Sequence, residues 1–514
     1  MTAQAEEPVV KVAADGRINV VSPLDGRILQ RIPSTPPESL PELVARARAA
    51  QAAWQAVPLD ERAKRLKPLA KRLAGAGDAI VETLRTEIGR HPAESWFAEI
   101  VPNLDLIRWW TGKGRRYLRT VKVGLDPLSY PGKKARVENV PRGVLGLVTP
   151  WNYPVSIPLR SLVPGLLAGN AILWKPSEYA AMVAAQTAEL FEGLIPADLL
   201  TVVQGDGRVG AALIEQVDAV GFTGSLATGK RIAVRAAERL IPASLELGGK
   251  DFAVVLADAD LARAAAGIAW AGLSNAGQNC AAVEVVAVHE DVAPRFGELL
   301  REEVRKMTPF VGPLVNAAQK TKVAEQLGAA VAAGALAVEG GLAAAEGLRI
   351  EPTVLERVPG DAAILCEETF GPVIPLTTFR SLDEIAERLD ASGYGLTLSL
   401  WTKDVRAAEA WGAGRPVGVL TINNHGFTAA IAAMPWTGVK GSGLGVTNGP
   451  HALEWMVRPQ GVLIDKAKGR ELWWHPFNEA AVRLARGLAH LTTGAGPRFA
   501  ALKAVLGGML GRWK

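Results

Sequence analysis

A cysteine does covalent chemistry only where its surroundings favour the thiolate and hold the charge that develops on its partner. Cys280 stands in Gly277-Gln278-Asn279-Cys280-Ala281, a glycine- and amide-rich turn whose backbone N–H groups are free to point at an anion. Such donors lower a thiol's pKa and hold a developing oxyanion. A lone cysteine is more commonly a small buried hydrophobe, so the turn alone does not decide. Glu246, in Leu245-Glu246-Leu247-Gly248-Gly249-Lys250, ends an apolar run. A carboxylate placed there is either a solvated strand end or a base with a raised pKa. Asn152, in Pro150-Trp151-Asn152-Tyr153-Pro154, follows another apolar run. Its amide offers two donors to a charged oxygen, or it simply forms a turn.

Two further segments suit a nucleotide. Gly221-Phe222-Thr223-Gly224-Ser225, followed by Gly229, is a strand and turn leading into a basic helix, and a helix start of this kind receives pyrophosphate. It lacks the G-x-G-x-x-G pattern and is a weak signal alone. Lys175-Pro176-Ser177-Glu178 follows another strand, and its Lys and Glu have the chemistry to bond ribose hydroxyls. None of these motifs requires a metal. Cys366 reads as packing.

The elements that must position these residues change character along the chain. Residues 37 to 112 read as mostly helical, with Leu40, Leu43, Val44, Ala47, Ala50 and Trp54 on one face. A later helix through Phe97, Ile100, Leu104, Ile107 and Trp110 is expected to be kinked or interrupted at Pro102. From Gly143 onward, short apolar runs alternate with helical stretches. Val144–Val148, Ala171–Trp174, Leu200–Val203 and Ala219–Phe222 form one set of strands. Phe252–Leu256, Val283–Val288, Thr397–Trp401 and Val417–Ile422 form another. Alternation of this kind predicts βαβ units, parallel sheets and two α/β domains in series. Arg116 to Val140 and Pro459 to Asp465 read as polar strands, either a protruding arm or a surface hairpin.

The chain has 514 residues, too many for one ordinary core, with 49% hydrophobic and 21% charged residues and no solenoid repeat. Its net charge is +5, but Lys466 to Lys514 alone carries nine Lys/Arg against two Asp/Glu, so the body is at −2. A nucleic-acid groove in the body is not expected. Two cysteines exclude a disulfide framework and favour a reduced cytoplasm. Met1 to Lys11 has no apolar signal core, and no stretch is apolar for the length of a bilayer.

Taken in order, Pro150–Pro154, Trp174–Glu178, Gly221–Ser225, Leu245–Lys250, Gly277–Cys280 and Glu367–Pro372 (Glu-Glu-Thr-Phe-Gly-Pro) resemble the aldehyde dehydrogenase superfamily in motif and spacing, across Asn19 to Asp465. The resemblance implies an α/β fold with two Rossmann-like open-sheet domains. Residues 1–115 and 141–247 would bind NAD, and 248–435 would be catalytic. Residues 116–140 and 458–465 would form a small β oligomerisation arm, 436–457 would return to the NAD-binding domain, and 466–514 would be a helical C-terminal extension. It further implies that Cys280 attacks an aldehyde, that Asn152 and the Cys280 N–H hold the oxyanion, and that Glu246 activates water to hydrolyse a thioester. Relatives that acylate coenzyme A tend to lack this base, and an inactive relative would lack one of the three. Lys175 and Glu178 become ribose ligands, Thr223, Gly224 and Ser225 the pyrophosphate turn, Glu368 a nicotinamide-ribose ligand and Phe370 its packing partner. Glu178 would repel a 2′-phosphate, which favours NAD over NADP. Trp109, Trp110, Tyr153, Ile157, Phe427 and Trp436 fall where relatives line the approach to the cysteine. They favour an apolar aldehyde (fatty, aromatic or isoprenoid), while Arg160 would favour a small anionic semialdehyde. A homodimer or homotetramer is expected.

The chain departs from most such relatives after Asp465. Trp473-Trp474-His475-Pro476-Phe477 precedes one helical pattern. A second has Phe499, Leu502, Val505, Leu506, Met509, Leu510 and Trp513 on one side, flanked by Arg498, Lys503, Arg512 and Lys514. A basic amphipathic helix with an aromatic edge suits an anionic membrane surface, or else docks on its own body or a partner subunit. Gly507 and Gly508 weaken it as an isolated helix.

Overall fold

The computed structural model describes residues 12–513 apart from 14, 127–128 and 343–346; of Phe427 it describes the backbone alone. The readings of Met1 to Lys11 and of Lys514 lie outside the described residues. The helical region is as its periodicity predicts. Helix Leu40–Gln55 buries Leu40, Val44, Ala47, Gln51 and Trp54, and the Trp54 indole N–H donates to the Leu166 carbonyl at 2.7 Å. The helix is interrupted at Pro102, as expected: a π-helical turn at Trp96–Ile100 gives way to helix Val101–Thr111, with Pro102 in its first turn.

The first sheet has six strands. Five are parallel, in the order Leu200–Val202, Ala171–Lys175, Val144–Val148, Ala219–Thr223 and Ala243–Glu246; Gly443–Leu444 adds an antiparallel edge. The strand first in the chain is central, and the strand order reverses beside it. Ligands of open α/β sheets bind at the carboxyl ends of the strands at such a switch point. The second sheet has seven strands, in the order Leu336–Gly341, Glu351–Glu356, Val373–Phe379, Val283–His289, Asp251–Val255, Thr397–Trp401 and Val419–Ile422. All are parallel except the first. Three of these strands escaped the sequence reading. Pro352 and Pro375 lie inside two of them, and a proline argues against a ladder position. The third is an exposed edge strand, Leu336–Gly341, short of apolar length and ending in two glycines.

Both sheets belong to one compact unit, built from residues up to Arg119 and from Asn139–Arg458. The second unit joins Thr120–Glu138 to the chain from Pro459 onward. Its sheet has the strand order Val457–Asp465, Lys133–Pro141, Val121–Val123, so the two polar segments pair with each other. The Lys133 ammonium pairs with Asp465 at 3.2 Å and with Glu471. Helices Glu479–Thr493 and Arg498–Gly511 complete this unit.

Candidate active site

The motif residues converge because the carboxyl ends of the first sheet feed the amino ends of the second. Glu246 ends a strand of the first, and Asp251 begins one of the second after only Leu247-Gly248-Gly249-Lys250. The Asp251 carboxylate accepts from the Thr397 N–H at 2.9 Å and from its hydroxyl at 2.7 Å, which joins two strand starts.

Asn152 sits in the loop after Val144–Val148. It is buried, its Nδ2 donates to the Gln278 carbonyl at 3.2 Å, and its Oδ1 has no hydrogen-bond partner among the described residues. One amide hydrogen therefore remains for a ligand. The backbone carbonyl of Asn152 accepts from Asn275 Nδ2 at 3.1 Å and from the Arg90 guanidinium. Arg90 also donates to Asn275 Oδ1 at 3.1 Å and lies 4.6 Å from the Tyr153 ring. Its counter-ion, Glu99, accepts from the N–H groups of Val155 and Ser156 at 3.2 and 2.6 Å, at the start of helix Ser156–Ala168. A carboxylate suits the positive end of a helix.

The turn before Cys280 is left-handed at three successive residues, with φ of 52° at Asn275, 57° at Ala276 and 71° at Gly277. Only glycine fits at 277, since a Cβ there would stand 2.1 Å from the Gly371 carbonyl oxygen. Gln278 is fully buried and locks the turn, accepting from the Val315 N–H at 2.8 Å and donating to the Asn275 carbonyl at 2.9 Å. Cys280 is half-buried, with its Sγ 3.8 Å from Asn279 Oδ1. Its thiol is pushed up to about 12, first by burial and then by the Glu246 carboxylate, with Arg160 acting in the opposite sense. The expectation of a depressed thiol pKa is therefore corrected: desolvation outweighs the N–H donors of the turn.

Glu246 is buried, and its Oε1 has no hydrogen-bond partner among the described residues. Burial raises it to about 8, against the opposing effects of Arg160, the Trp436 indole N–H and the Thr447 backbone N–H. Trp436 is thus a support of Glu246. Arg160, on helix Ser156–Ala168, feels both Cys280 and Glu246 and makes no hydrogen bond or ion pair among the described residues.

The nucleotide segments lie at strand ends as expected. Lys175 is buried, with Nζ 3.5 Å from the Glu178 carboxylate. Thr223 ends its strand, Gly224 makes the turn, and Ser225 caps helix Leu226–Glu238 by accepting from the Thr228 N–H at 3.4 Å. Gly229 lets that helix approach the sheet, because a Cβ would stand 2.4 Å from Leu247. Glu368 lies over the Gly248-Gly249 turn. The Gly249 N–H donates to its Oε1 at 3.2 Å, and a Cβ on Gly248 would meet the same oxygen at 2.1 Å. Burial raises Glu368 to about 7. Phe370 has φ of 55°, and its ring stands edge-on to Trp151 at 5.8 Å. A switch point, an open helix start and a Lys–Glu pair at a neighbouring strand end fit a dinucleotide.

Sequence reasoning missed the groups that hold this site. Glu284, buried in strand Val283–His289, accepts from Lys250 Nζ at 2.6 Å and from the N–H groups of Thr369 and Phe370 at 2.8 Å each. Gln319 Nε2 donates to the carbonyls of the same two residues at 3.1 and 2.9 Å. The available signal was a charge inside an apolar strand, which survives burial only when paired. The aromatic approach is partly revised. Trp110 is wholly inaccessible within the core, so it faces no open channel, while Trp109, Tyr153 and Ile157 are half-buried. Phe427 opens the turn Phe427–Ala430, and its side chain lies outside what is described. Cys366 is exposed rather than packed.

The chain matches the model of the Aldehyde dehydrogenase family over residues 10–462. It is 36% identical to the 4,4′-diapolycopene aldehyde oxidase of a Methylomonas species, over 91% of this chain and 90% of that protein. It is 34% identical to a putative NADP(+) succinate-semialdehyde dehydrogenase of Mycolicibacterium smegmatis, over 83% and 85%. Among solved structures, PnpE in complex with nicotinamide adenine dinucleotide aligns with a TM-score of 0.84 at 29% identity, over 90% of this chain and 97% of that one. Betaine aldehyde dehydrogenase from Staphylococcus aureus, in complex with NAD+, aligns with a TM-score of 0.84 at 25% identity, over 90% and 94%.

Proposed function

The chain belongs to the aldehyde dehydrogenase family, and from that premise we propose that it oxidises an aldehyde to a carboxylic acid through a thioester on Cys280, with NAD as the oxidant and water consumed in hydrolysis. The observation that carries this reading is the buried Glu246 carboxylate, with one oxygen unpartnered and its charge acting on Cys280. Cys280 rests as a thiol, so a base must take its proton. Glu246, raised to about 8, is partly ionised near neutral pH and suited to that task. Sγ then attacks the aldehyde carbon, and the free amide hydrogen of Asn152 together with the Cys280 N–H holds the oxyanion. Lys175, Glu178, Thr223, Gly224, Ser225, Glu368 and Phe370 would hold NAD, which when bound supplies the hydride acceptor. Glu246 passes the Cys280 proton to solvent and then takes one from water, and the hydroxide attacks the thioester to release the acid as its carboxylate and restore the thiol.

An apolar substrate (fatty, aromatic or isoprenoid) is the reading supported by the half-buried aromatic groups and by the likeness to an oxidase named for a polyene aldehyde. Arg160 favours a second reading, a small anionic semialdehyde, because it is a desolvated cation beside the nucleophile with no bonded partner among the described residues. NADH release across polyene, fatty, aromatic and semialdehyde substrates decides between them. A kcat/KM highest for succinic semialdehyde and abolished by Arg160→Met removes the apolar reading, and no NADH release with any aldehyde removes the function. Assembly of the cytoplasmic enzyme as a homodimer or homotetramer through its β arm belongs to the same proposal.

A further inference from the structure

The two C-terminal helices bury one face against each other and leave another bare. Leu484 and Gly487 of helix Glu479–Thr493 meet Ala501, Val505 and Gly508 of helix Arg498–Gly511, all buried. The glycines set this close packing: a Cβ on Gly508 would stand 2.6 Å from Leu484, and one on Gly487 2.8 Å from Val505. Gly508 is therefore a packing residue rather than a weak point, and Val505 turns inward from the predicted stripe. Arg512 closes the hairpin base by donating to the carbonyls of Leu472 and Pro476 at 2.6 Å each and to that of Trp474.

The remaining stripe is uncovered. Phe499, Leu502, Leu506, Met509, Leu510 and Trp513 are 42–81% exposed. At helical spacing they fall within one arc of about 100°. Lys503 is exposed at its edge, and Arg483 lies against Gly507 on the same side. We propose that this face is a docking surface for an anionic lipid bilayer, with helix Arg498–Gly511 lying in the interface plane. Three observations select that occupant. From Leu472 to Lys514 there are six Lys/Arg, one of them the buried Arg512, and one Glu, so a second copy of this basic hairpin would bring like charges together, whereas anionic lipid neutralises them. Trp473, Trp474 and Trp513 are 42–52% exposed, and tryptophan favours the headgroup level. Among the described residues no helix is long and apolar enough to cross a membrane, so the surface orientation remains.

The inference is independent of the catalytic reading, and its test does not depend on turnover. The full chain is sedimented with phosphatidylcholine vesicles with and without phosphatidylglycerol, at low and high salt, beside Leu506→Glu/Leu510→Glu. The expected result is about tenfold more binding to the anionic vesicles, weakened by salt, and about tenfold loss in the variant at unchanged oligomer mass. Absence of wild-type binding, equal binding of the variant, or a fall in the variant's oligomer mass without vesicles overturns the proposal; the last assigns the face to a partner subunit. Quenching of wild-type tryptophan fluorescence by brominated anionic lipid is a measure that needs no variant. Quenching supports docking, and its absence overturns it.

Discussion

Arg90 and Glu99 form an ion pair of 2.7 Å with both side chains completely buried, and between them they hold the Asn152 loop, the Cys280 turn and the start of helix Ser156–Ala168. Arg90 reaches Glu99, Asn275 and the Asn152 carbonyl in three directions from one guanidinium. An ammonium cannot reproduce that fork. Arg90→Lys should lower kcat by about 10- to 100-fold, the scale expected when catalytic groups shift by an ångström, with little change in cofactor affinity. Arg90→Ala strands Glu99 and should cost about 3–5 kcal/mol in denaturant unfolding. A lysine variant with wild-type kcat would remove the positioning role.

Glu246→Gln should depress the NADH burst as well as the steady rate, because the same carboxylate is the base for the Cys280 thiol and then for water. Steady turnover at the wild-type rate would contradict the assignment. With Glu246 raised to about 8, the wild-type rate should fall by up to about tenfold per unit as pH drops below that value, and the variant should lack this limb. The sign for stability is opposite. A carboxyl group whose folded pKa is raised from the ordinary 4.5 stabilises the fold at low pH and loses that contribution as pH rises through 8. Thermal unfolding should therefore show the glutamine variant gaining on wild type at pH 9 and matching it at pH 4.

The clamp on the cofactor loop is testable through Glu284. Its carboxylate binds Lys250 and two backbone N–H groups next to Glu368. Glu284→Gln leaves Lys250 buried without a counter-charge and loosens Thr369-Phe370. We expect KM for NAD to rise about tenfold, equivalent to the loss of one good charged hydrogen bond, with KM for the aldehyde unchanged. Equal increases in both would point to general unfolding of the site.

Cofactor choice should follow Glu178. Its carboxylate, 3.5 Å from Lys175 Nζ, repels a 2′-phosphate by about 1–4 kcal/mol at contact range. NAD should exceed NADP in kcat/KM by about tenfold or more, and Glu178→Gln should narrow the gap. Equal kcat/KM for the two cofactors in wild type would overturn the assignment.

Much of this molecule is local in origin and was legible in the chain. Strands such as Val144–Val148 and Thr397–Trp401 are covered on both faces, so burial imposes a continuous apolar run. Turns such as Gly277 and Gly248-Gly249 demand glycine because backbone or a carboxylate approaches closely. The motif residues Cys280, Glu246, Asn152 and Glu368 were therefore visible in order and spacing. Tertiary structure decided the rest. Glu351–Glu356 and Val373–Phe379 carry prolines that hide them as strands. Trp436 supports Glu246 although every strand of the second sheet lies between them in the sequence, and Arg90 meets Asn152 and Asn275 from distant parts of the chain. The protonation of Cys280 reversed from expectation for the same reason. A pKa is set by desolvation and by every charge within reach, and only the folded chain brings Glu246, Arg160 and the apolar walls around one sulfur.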